Sequence, residues 1–159
     1  MYESTKKMLD RILDVFEKYD KTNIPSDFTD ISLVDLVTED AVSIACYFSV
    51  SDGTVSQAEA DVFNSVFNTV KTPEEISEII SDDESILERI GYTFNVIAET
   101  EKNLGIYDLH KTMMVPLIKF FESFALDIIK AEKYTQDDME NFDLLFCKIE
   151  SVLTTIPKE

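Results

Sequence analysis

The chain has 159 residues, enough for one domain with a single hydrophobic core, and 45% of them are hydrophobic. Its 32 Asp and Glu residues against 14 Lys and Arg residues give a formal net charge of −18, which argues against nucleic acid and anionic lipid as partners. Only 3 Gly and 4 Pro residues occur, and apolar residues recur every three to four positions, so we predict an all-α fold of six to eight helices.

The first quarter of the sequence predicts two helices separated by a polar loop. A stripe of apolar residues predicts the first helix from about Ser4 to Tyr19. The loop follows around Pro25, and a short helical turn is expected near 32–36. The second helix is predicted from about Thr38 to Ser51, with the acidic residues Glu39 and Asp40 in its first turn, where the helix macrodipole favours them.

The middle of the chain carries three helix-start and helix-stop signals. Ser56 and Glu59 form a capping box that opens a helix whose apolar stripe extends to Val70. Thr-Pro at Pro73 predicts the start of a short helix, because proline is favoured at the first helical position. A longer helix is then predicted to run to Leu104, and we expect Gly105, the next residue, to adopt the left-handed backbone conformation that commonly follows a helix C-terminus.

The C-terminal third predicts at least two more helices. The region from Tyr107 to Ala131 has helical period, but Pro116 predicts a kink or a division into two helices. Thr135 and Asp138 predict the cap of a final helix with a wide apolar face.

The two cysteines and the N-terminal segment indicate the cellular compartment. Cys46 and Cys147 lie in apolar helical stretches without CxxC spacing, so we interpret them as small buried residues in a reducing compartment. The N-terminus lacks the apolar region of a signal peptide, and no run approaches the length of a membrane-spanning helix. We therefore expect a cytoplasmic protein that is not inserted in a membrane.

A weak internal repeat relates the two halves of the chain. When the sequence is shifted by 79 residues, Phe63 aligns with Phe142 and Phe67 with Phe146, together with their helix-capping residues. Any two amphipathic helices with N-caps can be aligned in this way, so the pattern alone is not specific. We predict a single domain over 1–159, with a first repeat at about 30–80 and a second at about 107–155.

A more specific pattern follows the second predicted helix. A small and apolar helix precedes Asp52 and Gly53, then come Val55 and Ser56, with Glu59 three residues further on. This segment resembles the TerB family of tellurite-resistance-like proteins. The resemblance implies an all-helical domain with two such motifs, linked to chemical stress responses and to complexes at the membrane, and a module without a defined enzymatic activity.

The second repeat departs from the family pattern. Ala131 and Glu132 occupy the positions that match the Asp-Gly pair, whereas Thr135 and Asp138 keep their residue types. A ligand role is therefore considered only for the first motif.

The first motif allows two interpretations. In one, the carboxylates of Asp52 and Glu59 converge with backbone carbonyls of the turn and bind Ca²⁺ or Mg²⁺ weakly, because hard cations prefer oxygen ligands. In the other, Asp52 satisfies backbone donors, Gly53 adopts a conformation closed to other residues, and Glu59 completes the capping box of Ser56 without an ion.

The sequence gives little support for other kinds of metal, nucleotide or catalytic site. His110 is the single histidine, and the common nucleotide, hydrolase and zinc-protease motifs are absent. We predict no catalytic residue, and no cofactor other than Ca²⁺ or Mg²⁺. The first hypothesis is a non-catalytic acidic module of a TerB-like stress-response protein that acts through a protein partner, with peripheral association with a membrane complex left open. The alternative is a weak divalent-cation sensor, and a metal-dependent phosphoesterase is a distant third.

Overall fold

Seven α-helices account for most of the chain in the computed structural model, which describes residues 2–50, 55–77, 83–106, 111–131 and 136–155. No strand occurs in these ranges. The helices are α1 (Glu3–Lys21), α2 (Leu33–Val50), α3 (Gln57–Phe67), α4 (Pro73–Ser77), α5 (Asp83–Asn103), α6 (Met114–Lys130) and α7 (Gln136–Thr155), with a short 3-10 helix at Pro25–Asp27. The predicted all-α single domain of six to eight helices is confirmed.

Helix α6 lies at the centre of the domain and packs against α1, α2, α3, α5 and α7. Its apolar residues recur at helical spacing over a wide face, and Phe120, Phe121 and Phe124 are each 0% exposed. Burying one such side chain is worth about 1.5–3 kcal/mol. Helix α6 thus packs against both α2 and α5, which line the candidate site.

Aromatic rings join α3 to α6. The rings of Phe63 and Phe67 stack with centroids 4.8 Å apart, and the Phe67 ring meets Phe124 edge-on at 5.6 Å. Phe142 and Phe146 on α7 repeat the spacing of the α3 pair, with centroids 4.7 Å apart. The starts of α3 and α7, Gln57 and Gln136, are separated by the 79 residues of the sequence alignment, although the two-fold repeat itself stays a prediction.

Helix α2 begins five residues earlier than the sequence suggested, at Leu33 instead of Thr38. The expected short turn near 32–36 is in fact its first turn. The Asp20 carboxylate at the end of α1 accepts the Leu33 N–H at 3.0 Å, and Ser32 Oγ accepts the Asp35 N–H at 3.1 Å. These acceptors satisfy the open N–H groups of the helix terminus and fix its start. Asp40 therefore lies in the second turn, and its interpretation as a first-turn acid is wrong.

The end of α3 also differs from the prediction. The helix stops at Phe67, because Asn68 adopts a left-handed conformation with φ of 55° and the Asn64 side chain bonds to both backbone groups of Lys71. Val70 is consequently outside the helix and 94% exposed. Its placement on the buried stripe is wrong.

Pro116 does not divide a longer helix. It is the third residue of α6, within the first turn, where a missing N–H removes no intrahelical hydrogen bond. Residues 111–113 are not helical, and 107–110 lie outside the described residues. The expected kink at Pro116 is therefore replaced by a helix start at Met114.

Two predicted terminus signals are confirmed. Thr72 Oγ1 accepts the Glu75 N–H ahead of α4, with Pro73 as the first helical residue. Gly105 follows α5 with φ of 77°, a conformation that disfavours residues with a Cβ atom. Thr135, the predicted cap of α7, lies outside the described residues.

Candidate functional site

A cleft between α2 and α5 is the candidate functional site. Leu36, Glu39 and Asp40 recur at three- and four-residue spacing and so share one face of α2. Glu88, Arg89 and Tyr92 form the facing side on α5, and Ile31 closes one end. We call this the α2–α5 cleft. Its volume is about 290 Å³, close to the lower limit of pockets that take small ligands or single side chains.

Asp40 is the buried carboxyl group of the α2–α5 cleft, with 2% of its surface exposed. Thr93 Oγ1 donates a hydrogen bond to its Oδ2 at 2.6 Å, and among the described residues no second side-chain donor reaches the carboxyl group. Burial raises the pKa of Asp40 to about 8, although the Thr93 hydrogen bond and the Arg89 charge act in the opposite direction. Asp40 therefore titrates near neutral pH.

Arg89 does not neutralise Asp40 by direct contact. Its charge is felt at the carboxyl group, but within the described part of the chain the one ion pair shorter than 4 Å joins Lys18 to Asp14 on α1. The Arg89 side chain is exposed at the mouth of the cleft, as are Glu39 and Glu88. The cleft thus holds three acidic groups and one basic group, with the most buried acid lacking an ion-pair partner there.

Exposed apolar groups border the α2–α5 cleft. Tyr92 is 46% exposed, and Phe28 and Ile31 are each 38% exposed. The Tyr92 hydroxyl reaches back to the Phe28 carbonyl oxygen at 3.5 Å, so it ties α5 to the segment ahead of α2. Large apolar side chains that stay accessible beside a cleft are typical of a binding surface.

A second buried carboxyl group, Glu101, lies at the other end of α5 and has a different environment. It is also 2% exposed, but it accepts hydrogen bonds from Tyr19 Oη at 2.9 Å, Thr112 Oγ1 at 2.5 Å and the Met113 N–H at 2.8 Å. Burial, with the Glu101 charge, strongly raises the pKa of Tyr19, which therefore remains a donor. This group ties α1 and the start of α6 to α5.

The predicted metal-binding pair is described only in part. Asp52 and Gly53 lie outside the described residues. Glu59 is 4% exposed, and its Oε1 accepts the Ser56 N–H at 2.9 Å while Ser56 Oγ accepts the Glu59 N–H at 3.1 Å. The predicted capping box is confirmed. Binding of Ca²⁺ or Mg²⁺ by Asp52 and Glu59 stays a prediction.

Within the described ranges no three His, Cys, Asp or Glu side chains come together as ligands for a metal ion. His110 and the Cys46 side chain lie outside the described portion. Cys147 is exposed on α7, which contradicts its interpretation as a buried residue, because it falls on the solvent side of the stripe formed by Leu145, Phe146 and Ile149.

Sequence reasoning missed Asp40 because it placed the start of α2 too late. A usable signal was present, since Ser32 and Asp35 have capping-box spacing. From that start, Leu33, Leu36 and Val37 continue into Ala41 as one apolar stripe. Asp40 lies on that stripe, so a buried carboxyl group was deducible.

Comparisons with known proteins return no relatives: no family model, curated protein or solved structure matches the chain. The resemblance to the TerB family consequently remains a prediction from residues 52–59. None of the helices in the described part of the chain has the length and apolar character that crossing a membrane requires.

Proposed function

We propose that this chain is a non-catalytic, acidic interaction module that binds a basic, apolar segment of a protein partner at the α2–α5 cleft. The single observation that carries the proposal is the cleft itself, which combines accessible apolar side chains with acidic groups. The TerB resemblance, which implies a module of a stress-response complex, supports the same class of function.

The chemistry of the cleft favours a segment that is both apolar and basic. Ile31, Leu36 and Tyr92 offer apolar contact, and Glu39 and Glu88 contribute negative charge at the same place. The net charge of −18 adds a long-range field that attracts cationic partners and repels anionic ones. An amphipathic helix with lysine on one face and leucine on the other fits both requirements.

The test uses a short amphipathic peptide of leucine and lysine as the probe. The amide resonances of ¹⁵N-labelled protein are followed by NMR during titration with this peptide, and with a counterpart in which each lysine is replaced by glutamate. We expect shifts centred on residues 31–40 and 88–93 with the lysine peptide only. The affinity should fall as salt is raised, because charge–charge attraction is screened.

Matched variants distinguish peptide binding at the cleft from nonspecific binding to other apolar surface. Tyr92→Ala removes an exposed ring from the cleft, and we expect it to weaken peptide binding about fivefold or more. Leu144→Ala removes an apolar side chain that is 60% exposed on α7, outside the cleft, and should leave the affinity unchanged. Equal effects of the two variants, or resonance shifts spread over the whole surface, would refute the proposal.

A further inference from the structure

We infer that the α2–α5 cleft is a receptor for one lysine side chain of the partner segment, with Asp40 as its counter-ion, and that occupation of the cleft expels a proton. This inference rests on the proposed function and adds to it the identity of the anchoring side chain and a dependence on pH. It follows from the position of one buried carboxyl group in an accessible cleft that also presents apolar side chains.

The shape and lining of the cleft match a lysine side chain. Lysine carries a compact ammonium group on a long apolar stem, and such side chains bury the stem against apolar surface. Ile31, Leu36 and Tyr92 line the path that the stem would take. The Tyr92 ring also lines the cleft, and contact of an ammonium group with an aromatic ring face would add to binding.

The hydrogen bonding of Asp40 leaves room for such a partner. Thr93 Oγ1 occupies Oδ2, whereas the described residues direct no side-chain donor to Oδ1. An ionised carboxylate buried with one hydrogen bond is costly, so the empty cleft favours the protonated form. An ammonium group that donates to Oδ1 would compensate the charge and favour the ionised form.

Binding and proton release are therefore linked. In the free protein the pKa of Asp40 is about 8, so the carboxyl group is mostly protonated at neutral pH. When the lysine enters, the proton leaves Oδ1 for solvent and an ion pair takes its place. Glu39, Glu88, Arg89 and Tyr92 are the other charged or titratable groups lining the cleft.

The experiment is isothermal titration calorimetry with the leucine–lysine peptide between pH 6 and pH 8, in buffers of different ionisation enthalpy. If the ionised form of Asp40 alone binds the ammonium group, affinity should rise about 50-fold between these two pH values. At pH 7 the wild-type protein should release about 0.9 proton per peptide bound.

Two variants serve as the comparison. Asp40→Asn is close in shape to the protonated carboxyl group and still accepts from Thr93, so it should fold, bind weakly and release no proton. Glu39→Gln removes one negative charge from the mouth of the same cleft; it should weaken binding modestly and keep the rise with pH. Comparing the two variants shows whether binding depends on Asp40 as a specific counter-ion or only on the number of negative charges at the cleft.

The outcomes for the two proposals are distinct. If NMR places the peptide in the α2–α5 cleft but the wild type shows no proton release and Asp40→Asn binds with equal affinity, the lysine receptor is refuted and the interaction module stands. If the peptide does not bind in the cleft, both are refuted. Proton release that persists in Asp40→Asn would also overturn the inference, because another group would then be titrating.

Discussion

Asp40 and Glu101 are both carboxyl groups with 2% exposure. Asp40 bonds to α5 and Glu101 lies on α5, but the two differ in the number of hydrogen bonds that they accept. Glu101 accepts three hydrogen bonds, from Tyr19, Thr112 and the backbone of Met113. Asp40 accepts one from a side chain, Thr93, and it borders an open cleft. The two carboxyl groups are therefore equally buried but have different roles.

The difference shows how a structural acid can be separated from a candidate functional one. A buried carboxylate with a full set of donors stabilises the packing of the elements that supply them. A buried carboxyl group with few partners lowers stability in its ionised form, and groups of this kind concentrate at functional sites. Glu101 accordingly holds three elements together, whereas Asp40 is available for a ligand.

The largest expected effect is on stability when Glu101 is removed. Glu101→Ala leaves the Tyr19 and Thr112 hydroxyls and the Met113 N–H without their acceptor, and we expect a loss of about 3–5 kcal/mol in the free energy of unfolding. Urea denaturation measures this change. Glu99→Ala, an exposed position on the same helix, should change stability by less than about 0.5 kcal/mol. Similar losses at both positions would remove the distinction drawn for Glu101.

Asp40, unlike Glu101, should lower the free energy of unfolding when it is ionised, so its effect on stability depends on pH. Its pKa is raised from 3.8 in the reference state to about 8 in the folded protein, so the folded state binds the proton more tightly. The stabilisation from this tighter proton binding is fully present below pH 3.8. It is lost as the pH rises to about 8, by up to about 1.4 kcal/mol in the free energy of unfolding per pH unit.

Asp40→Asn isolates that contribution. The variant cannot titrate, so its stability relative to the wild type should increase steadily between pH 5 and pH 8, as measured by urea denaturation at each pH. A constant difference between the two proteins over this range would show that Asp40 is ionised throughout and that the cleft is not poised to lose a proton.

A smaller effect is expected when single donors are removed. Thr112→Val takes one of three donors from Glu101 and should cost about 1 kcal/mol in the free energy of unfolding. Thr93→Val takes the side-chain donor from Asp40, and because that hydrogen bond lowers the pKa, the variant should titrate above pH 8. ¹³C NMR of the Asp40 carboxyl carbon measures this pKa; a lower value in Thr93→Val would contradict the geometry of the cleft.

Local signals predicted much of the fold, but neither buried carboxyl group. The Ser56–Glu59 capping box, Pro73 and Gly105 act over a few residues, and the structure confirms all three. Each of these carboxyl groups has a partner far away along the chain, with Thr93 53 residues from Asp40 and Tyr19 82 residues from Glu101. Periodicity indicates which face of a helix is buried, but it does not indicate which helix covers that face.

The most direct test of the central claim is the pKa of Asp40, measured by ¹³C NMR titration with and without the leucine–lysine peptide. We expect a pKa near 8 in the free protein and a fall of about three units in the complex, because an opposite charge favours the ionised form and the release of nearly one proton at pH 7 requires a fall of this size. An unchanged pKa in the complex would contradict the claim that Asp40 is the counter-ion for a bound lysine.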